Sequence, residues 1–470
     1  MTPRRISTLC SIAAVISQVF CGPFLFAEDE KGAALGLGAF VETACRKDTA
    51  FEEILIDELE LAYTKALNLP ASDFVLSLKG TYDYLIDYDE KDFENTASLS
   101  KLFPYTGTDI SAEYNSSLSK RTRAITSDFS AQVSQPIAEN AFGRNTRLHG
   151  KIIGLENDVA AYQIVEAYED YLASLIQLYY DWYSAYENLV TGENSLKENE
   201  KLLENIKERR KSNIALPIDV NKIDVQVITK RENLLSLKNQ YNTYLNLIRQ
   251  AIRYSSRDAL RPVDSPVYKN ASIHFKDDYE KFKRESRTSK ILALLQDKSS
   301  LEVQKSADEL LPSIDVFGGY SLDGIDHGII GNEQVMFAGA AIDWPFPGQV
   351  ERAQYQTMKI REKKAGLTSE NTHIKLYTTL KNLTNEIDTE KGLIATAKEK
   401  IDLAQSIVDD ETENYSLGRA TLKDLIDEIN KLEENKFSKI SHEVRLKKLM
   451  VEWLRLTDTL ITKREIGLRK

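Results

Sequence analysis

Cysteine is scarce in this chain, and its scarcity excludes a fold held together by disulfide bonds. The 470 residues contain three cysteines. Cys10 and Cys21 lie in an N-terminal segment that we predict is removed, which leaves Cys45 without a partner. Histidine is also scarce, and the five histidines are scattered singly, with no second ligand at metal-binding spacing. The sequence therefore predicts neither a metal site nor any other cofactor site.

Long apolar runs are missing except at the N-terminus. There, Arg4 and Arg5 precede an apolar stretch, residues 6–26, and an acidic segment follows. This order is typical of a secretory signal peptide spanning residues 1–27. A permanent membrane helix is the weaker interpretation, because polar residues and a proline interrupt the stretch and no second apolar run of about 18 residues follows. A twin-arginine signal and a lipidated Cys21 are the two variants to consider, although a bulky residue precedes that cysteine.

An excess of basic charge is also missing, since 61 Lys and Arg residues face 72 Asp and Glu residues and the formal net charge is -11. A balance of this sign argues against nucleic-acid binding. The sequence has no nucleophile beside a base and no glycine-rich phosphate loop, and its acidic residues are spread along helical segments. These absences predict a protein that is not an enzyme.

Proline is absent from residues 137–216 and 350–470, both of which are rich in Leu, Glu, Lys and Ala. Such stretches predict helices far longer than the globular average of about 11 to 12 residues. A helix from Arg144 to Arg209 would be roughly 100 Å long. Alternating intervals of three and four residues predict helices that pack as a coiled coil. The seam residues are Val227, Lys230, Leu234, Leu237, Tyr241, Tyr244 and Ile248, followed near the C-terminus by Leu422, Leu425, Ile429 and Leu432.

Several segments between the helices alternate apolar and polar residues with a period of two, which predicts β-strands with one apolar face. Each is about ten residues long, the length that a tilted strand needs to cross a bilayer. A half-buried sheet of a soluble protein gives the same alternation. The five candidates are Phe74 to Tyr84, Thr108 to Leu118, Phe129 to Gln135, Ile314 to Leu322 and Gln334 to Trp344.

The two halves of the chain carry the same order of features, which predicts an internal duplication. Each half begins with a helix, at residues 39–67 and 275–307, passes a proline into strands, and enters a long helix after a second proline. We therefore divide the mature chain into two repeats, residues 28–270 and 271–470.

The long helices of the two halves reverse at matching places. Asn213 aligns with Gly418 and Asp219 with Asp424, at a constant offset of 205 residues. Asparagine and glycine adopt positive φ readily, as the end of a helix needs before the chain turns back. The aspartates then fall in the first turns of the returning helices, where a carboxylate suits the positive end of the helix dipole.

Short motifs on these elements resemble the TolC-like family of outer-membrane efflux proteins over nearly the whole mature chain. Each motif is weak alone, but their order, duplication and placement make a specific set. The motifs are Tyr415-Ser-Leu-Gly418-Arg-Ala420-Thr-Leu-Lys-Asp424-Leu425, Leu311-Pro312-Ser313 leading to Tyr320, Gln135-Pro136 with Gly143-Arg144, and Trp344-Pro345 with Gly348.

The resemblance implies a mainly α protein with membrane β-structure. Each protomer of a homotrimer would give four strands to one shared twelve-stranded barrel in the outer membrane, and its helices to a coiled-coil tunnel in the periplasm. Sharing is needed because four strands cannot close a barrel and an open sheet edge does not survive in lipid. Five strand candidates are one too many, so either the first three include an extracellular hairpin or one lies outside the membrane. Gly107 and residues 119–123 suit such a loop.

The resemblance also implies a function and partners. The protein would be a passive exit duct for substrates delivered by an inner-membrane transporter of the RND, ABC or MFS type, through a periplasmic adaptor protein. Two other classes remain as alternatives. A periplasmic adaptor also combines a coiled-coil hairpin with β-structure, but normally has one hairpin, and a surface coiled-coil protein would have no pore.

The resemblance places a constriction at the periplasmic turns. It implies that Asp424 and Asp427 face the pore, with Asp219 at the matching position of the first repeat, and that Tyr415, Gly418 and Asn213 form the gate and turns. Six carboxylates around one opening would favour cations. Solvated helix caps are the alternative role for the aspartates.

Two further features concern the gate and the helices. The best-known member of the family has an arginine two positions after the glycine of this turn, where this chain has Ala420, so a gate locked by that arginine is not expected. A cluster of aromatic residues within a predicted helix is assigned to packing between helices rather than to ligand stacking. Its members are Tyr179, Tyr180, Trp182, Tyr183 and Tyr186.

Overall fold

The structure is a computed structural model that describes most of the chain. The described residues are 28–29, 32–69, 72–86, 90–119, 124–254, 260–264, 273, 275–325 and 333–461. The predicted signal peptide, residues 1–27, and the predicted boundary between the repeats at residue 270 lie outside these ranges. The signal peptide and the division into two repeats therefore stay predictions.

Eight α-helices lie in the described part of the chain. They are α1 (Leu37–Lys47), α2 (Thr49–Asn68), α3 (Arg144–Lys211), α4 (Pro217–Ala251), α5 (Phe275–Glu285), α6 (Arg287–Asp308), α7 (Gln349–Ser416) and α8 (Leu422–Leu456). Helices α3 and α7 each contain 68 residues, and α4 and α8 each contain 35. The offset of 205 residues that the sequence predicted separates the starts of both pairs. Helices α3 and α7 begin at residues 144 and 349, and helices α4 and α8 begin at residues 217 and 422.

The nine described strands form two sheets. They are β1 (Glu28–Asp29), β2 (Gly32–Leu35), β3 (Val75–Leu85), β4 (Glu90–Phe103), β5 (Thr108–Ser119), β6 (Ala124–Pro136), β7 (Leu260–Pro262), β8 (Ser313–Ile325) and β9 (Glu333–Asp343). A small sheet has the order β1-β2-β7, with β2 and β7 parallel. The large sheet has the order β3-β4-β5-β6-β8-β9 and is antiparallel throughout.

All five predicted strands lie in the large sheet, but the sequence analysis missed a sixth. Strand β4 pairs with the whole of β3 through Glu90 to Ser100, and with β5 from Asp92 to Phe103. Its alternation is weak because Asn95 and Lys101 occupy positions on its apolar side and charged residues crowd its start. Pairing with two neighbouring strands makes it a strand where its own pattern is poor. The sheet therefore has six strands, not the four implied by the resemblance.

The first helix of each half is broken where the sequence predicted a continuous helix. Asp48 separates α1 from α2 and has extended backbone angles, φ −75° and ψ 129°. Its side chain accepts a hydrogen bond from Ala50 N at 3.1 Å. Ser286 separates α5 from α6, and its Oγ accepts from Ser289 N at 3.0 Å. In both places a side chain that caps a new helix competes with continuation of the old one.

The described residues divide into two compact units, each with chain from both halves. The first contains the described parts of Met1–Glu58, Gln163–Ser289 and His373–Lys470. Its core holds the aromatic cluster, with Tyr179, Tyr180 and Trp182 fully buried, so the predicted packing role of the cluster is confirmed. The second unit contains Leu59–Tyr162 and Lys290–Thr372, and therefore the large sheet.

The predicted coiled-coil seams in the first unit are also confirmed. Along α4, Val227, Lys230 and Ile248 are buried and the other seam residues are half-buried, whereas most flanking residues are exposed. The one charged seam residue, Lys230, forms an ion pair with Glu433 of α8. Cys45 is a free, buried cysteine of the same unit, and burial raises the pKa of its thiol to about 12.

Candidate functional site

The two turns that reverse the long helices have matching backbone geometry. Asn213 and Gly418 have positive φ, 58° and 71°. In each turn, the N–H of the following residue donates a hydrogen bond of 2.8 Å to the carbonyl five residues earlier. This pattern ends a helix with a left-handed residue, for which Gly and Asn are the best suited residue types. The long helices therefore reverse at the residues that the sequence indicated, and the role of Asn213, Gly418 and Tyr415 in a gate stays a prediction.

Asp219 and Asp424 lie in the first turns of α4 and α8, as the sequence predicted. The Asp424 carboxylate accepts hydrogen bonds from Thr421 N at 3.2 Å and from Thr421 Oγ1 at 2.6 Å, and Thr421 Oγ1 accepts from Asp424 N at 3.3 Å. Asp424 and Thr421 thus form a reciprocal capping box. Asp219 makes only one of its two kinds of hydrogen bond: its carboxylate accepts from Leu216 N at 3.3 Å, but the leucine side chain offers no acceptor for Asp219 N.

The cap has an electrostatic consequence for Asp424. Hydrogen bonds from the Thr421 side chain and backbone lower the pKa of the Asp424 carboxyl below its ordinary value. Because the folded-state pKa is lowered, the cap contributes stability above the unfolded-state pKa and loses it as the pH falls through the lowered value. Asp424 is therefore a fixed negative charge at neutral pH.

Asp427 differs from these two aspartates because it caps no helix. It lies within α8, and its nearest described ionic partner is Lys423, with 3.9 Å between Nζ and Oδ2. Its side chain is half exposed and that of Lys423 is 73% exposed. A pair this long and this exposed contributes little to stability, so the charge of Asp427 remains available to solvent or ions.

A small apolar core joins the two turns. Its buried members come from both reversals and are Ile206, Ala215, Ile223 and Leu422. Beside it, the Arg209 guanidinium lies 5.0 Å from the centre of the Tyr415 ring and donates to Ser416 O at 3.3 Å. Burial and the nearby Asp219 raise the pKa of the Tyr415 hydroxyl, whereas Arg209 opposes the rise. The structure thus brings Tyr415 of the second turn against Arg209 of the first.

Sequence analysis missed two residues of this region. Thr421 is recognisable as a helix N-cap, because a threonine three residues before an acidic residue is the pattern of a capping box. Arg209 has no comparable local signal, since it belongs to the run Arg209-Arg210-Lys211 that a helix C-terminus commonly carries. Ala420 stands two positions after Gly418, and Arg209 of the other turn ties the ends of α3 and α7 through its hydrogen bond to Ser416 O.

The large sheet is the second candidate functional region, because its two faces differ along all six strands. One row of directly paired residues that crosses the whole sheet is apolar: Leu76, Leu99, Ala112, Ala131, Tyr320 and Met336. A row on the opposite face, three positions away, is entirely polar: Lys79, Thr96, Asn115, Asp128, Asp323 and Glu333. No described element of the chain covers the apolar face as a second layer, since Leu76 is 66% and Met336 86% exposed.

Exposed aromatic side chains mark the end of the sheet where the chain enters and leaves the helices. Trp344 and Phe346 pack edge to face, with ring centres 5.9 Å apart, and are 60% and 81% exposed. Lys101 Nζ lies 4.2 Å from the centre of the Phe74 ring and 5.1 Å from that of Phe103. Aromatic rings and long basic side chains of this kind are typical of a membrane–water boundary.

The sequence matches no protein-family model and none of the curated proteins. Solved structures give a different result. The outer-membrane protein VceC of Vibrio cholerae superimposes with a TM-score of 0.69 over 90% of this chain and 95% of its own, at 12% identity. CusC, a transmembrane channel, gives 0.68 over 92% and 93% at 10% identity. The outer-membrane channel CmeC of Campylobacter jejuni gives 0.68 over 91% and 86% at 12% identity.

This is the TolC-like channel fold. The likeness covers at least 90% of this chain in each comparison, and the low identity explains why sequence comparison alone finds no relative. No described helix combines the length and apolarity needed to cross a membrane. Within the TolC-like fold, the six-stranded sheet and the paired turns at Asn213 and Gly418 are the two regions with functional potential.

Proposed function

We propose that this protein is the outer-membrane exit channel of a tripartite efflux or type I secretion system. In this proposal, three copies share one β-barrel in the outer membrane and extend their helices into the periplasm. Substrates delivered by an inner-membrane transporter of the RND, ABC or MFS type enter through a periplasmic adaptor, which docks at the turns near Asn213 and Gly418. The channel supplies a path and a gate, and the transporter supplies the energy.

The amphipathic large sheet is the observation that carries this proposal. A sheet of a soluble protein buries its apolar face under a second layer. Here every one of the six strands carries an exposed apolar side chain on that face, including Leu76, Leu99 and Met336, and a contiguous apolar surface of this kind marks a membrane or partner interface. Lipid is the environment that suits such a face, and the polar face then lines an aqueous path. The aromatic residues at one end of the sheet fit a membrane boundary.

The paired turns support the placement of a constriction. Asp424 and Asp427 lie on exposed positions at the beginning of α8, and three copies would set six carboxylates around one opening. Asp219 would add a third ring at the matching turn of the first repeat. Rings of carboxylates favour cations, and their mutual repulsion raises the cost of ionising every group.

Single-channel recording in planar bilayers tests both the channel and the constriction. We expect cation-selective steps from the detergent-purified wild type and a several-fold lower cation-to-anion permeability ratio from Asp427→Asn. Asp424→Asn should lower the ratio as well, while its amide oxygen still accepts the capping hydrogen bond. The matched control is Glu434→Gln, an exposed carboxylate two turns further along α8, which should behave as the wild type.

Other results have distinct meanings. Steps whose selectivity is unchanged in both aspartate variants would leave the channel in place but return these residues to helix capping. A water-soluble protein that gives no conductance would contradict the channel itself and favour an adaptor or a surface coiled-coil protein. Deletion of the gene separates the two transport systems: sensitivity to small toxic compounds indicates efflux, and loss of a protein from the culture medium indicates secretion.

A further inference from the structure

We propose that all six strands of the large sheet enter the barrel wall, so that strand β9 of one copy pairs with strand β3 of the next. This inference rests on the proposed channel function and on its trimer. Six strands from each of three copies make a barrel of 18 strands, instead of the twelve that four strands from each copy would give.

The unpaired edges of the described sheet lie on β3 and β9. Strand β5 pairs with β4 from Thr108 to Ser119 and with β6 over eleven residues, so neither of its edges is free. In the described sheet, β3 and β9 are the strands with one unpaired edge. Backbone N–H and C=O groups at such an edge must find partners before the sheet can lie in lipid. A second copy of the same chain offers the complementary edge.

The apolar face of the sheet continues without change across the β3–β4 hairpin. Leu78 pairs directly with Ala97 and Tyr82 with Phe93, on the same face as the apolar row of the other strands. Leu78 is 74% exposed and Tyr82 is 58% exposed. A hairpin that extends into water or folds over the opening needs no such face. A hairpin in the barrel wall does, since its outward side chains contact lipid.

The directions of the strands allow β9 of one copy to pair with β3 of the next. The sheet is antiparallel throughout and has an even number of strands, so its first and last strands run in opposite directions. Rotating one copy onto the next therefore sets β9 beside β3 in antiparallel orientation, and the hydrogen-bond pattern of the sheet continues across the junction. Strands β3 and β9 both contain 11 residues, so they can pair along their full lengths.

The strand number has a consequence for the path through the membrane. Barrel diameter grows roughly linearly with strand number, so an 18-stranded wall is about 1.5-fold wider than a twelve-stranded one. Barrels of 16 to 18 strands leave a water-filled channel. The polar face, with Lys79 and Thr96 on the added hairpin, would line this wider lumen.

Disulfide cross-linking tests which strands meet. Cysteine pairs would join the odd-numbered polar-face positions 75–83 of β3 to the odd-numbered positions 335–343 of β9, and, as a matched comparison, positions 109–117 of β5 to the same β9 set. A grid is needed because closing a barrel staggers the register of its strands. After oxidation we expect covalent trimers from β3–β9 pairs at one register, and none from variants that carry only one of the two introduced cysteines.

Each outcome of the grid decides one proposal. Cross-links between β5 and β9 would overturn the inference, place the β3–β4 hairpin outside the wall and leave the channel function intact. Electron cryomicroscopy of the wild type in lipid nanodiscs then counts the strands without depending on cysteine geometry: 18 strands support the inference and twelve overturn it. A protein that forms no membrane-embedded oligomer would instead overturn the proposed function.

Discussion

Replacing Ala131 by arginine is expected to stop the protein from assembling in the outer membrane, whereas the same replacement at Gln132 is expected to leave assembly intact. Ala131 lies near the middle of β6 on the apolar face, directly paired with Ala112 and Tyr320. Gln132 lies on the polar face, paired with Ser111 and Gly319. An arginine that faces lipid near the bilayer midplane costs about 2 to 4 kcal/mol, and a homotrimer carries that cost three times.

The two variants form a matched pair, since they place the same side chain on adjacent residues of one strand. Membrane fractionation followed by gel electrophoresis without heating measures the amount of membrane-embedded trimer. We expect a loss of at least tenfold for Ala131→Arg and less than twofold for Gln132→Arg. Equal amounts of trimer from the two variants would contradict the assignment of the faces and, with it, the barrel.

Replacing Glu169 by alanine is expected to destabilise the first compact unit by about 3 to 5 kcal/mol, the usual cost of breaking a buried ion pair from one side. Glu169 and Arg287 are 2% and 5% exposed, and they form an ion pair. The guanidinium also lies 3.0 Å from the Asp458 carboxylate. Glu169 Oε1 accepts hydrogen bonds from Leu460 N at 2.9 Å and from Ile461 N at 3.2 Å. Alanine therefore leaves a buried cation short of charge and two backbone donors without their acceptor.

Loss of helical circular dichroism during denaturant titration in detergent measures this effect. The matched control is Asp170→Ala on the same turn of α3. It removes an ion pair between Asp170, whose side chain is 60% exposed, and Arg455. Pairs that exposed contribute about 0 to 1 kcal/mol. A double variant with methionine at positions 169 and 287 should be more stable than Glu169→Ala, because it removes both buried charges together. A midpoint for Glu169→Ala equal to that of Asp170→Ala would contradict the predicted role of the buried pair.

Much of the helical architecture was predictable because its determinants are local. The seam along α4 follows from residues three and four positions apart, and the turns at Asn213 and Gly418 follow from residue types that tolerate positive φ. The cap at Asp424 follows from a threonine three residues earlier. Each of these features depends on neighbours within about one helical turn, so a single sequence contains the whole signal.

Other features of the same helices were not predictable from neighbours. The break at Asp48 results from competition between continuing α1 and capping α2, and both outcomes suit the local pattern. Arg209 contacts Tyr415 across the two repeats, and no spacing in the sequence pairs those positions. Arg287 and its partner Glu169 are also far apart along the chain. Such contacts depend on how the elements pack, which periodicity does not encode.

The sequence alone determined that this protein is built from long paired helices, a repeated reversal and strands with one apolar face, because the periods of 3.5 and 2 are properties of adjacent residues. Only the tertiary structure decided that β4 is a strand, that six strands form one sheet and that β6 joins β8 across the two halves of the chain. A strand takes its hydrogen-bond partners from other strands, and those of β6 include β8, which lies far along the chain, so the sheet order depends on topology rather than on local pattern.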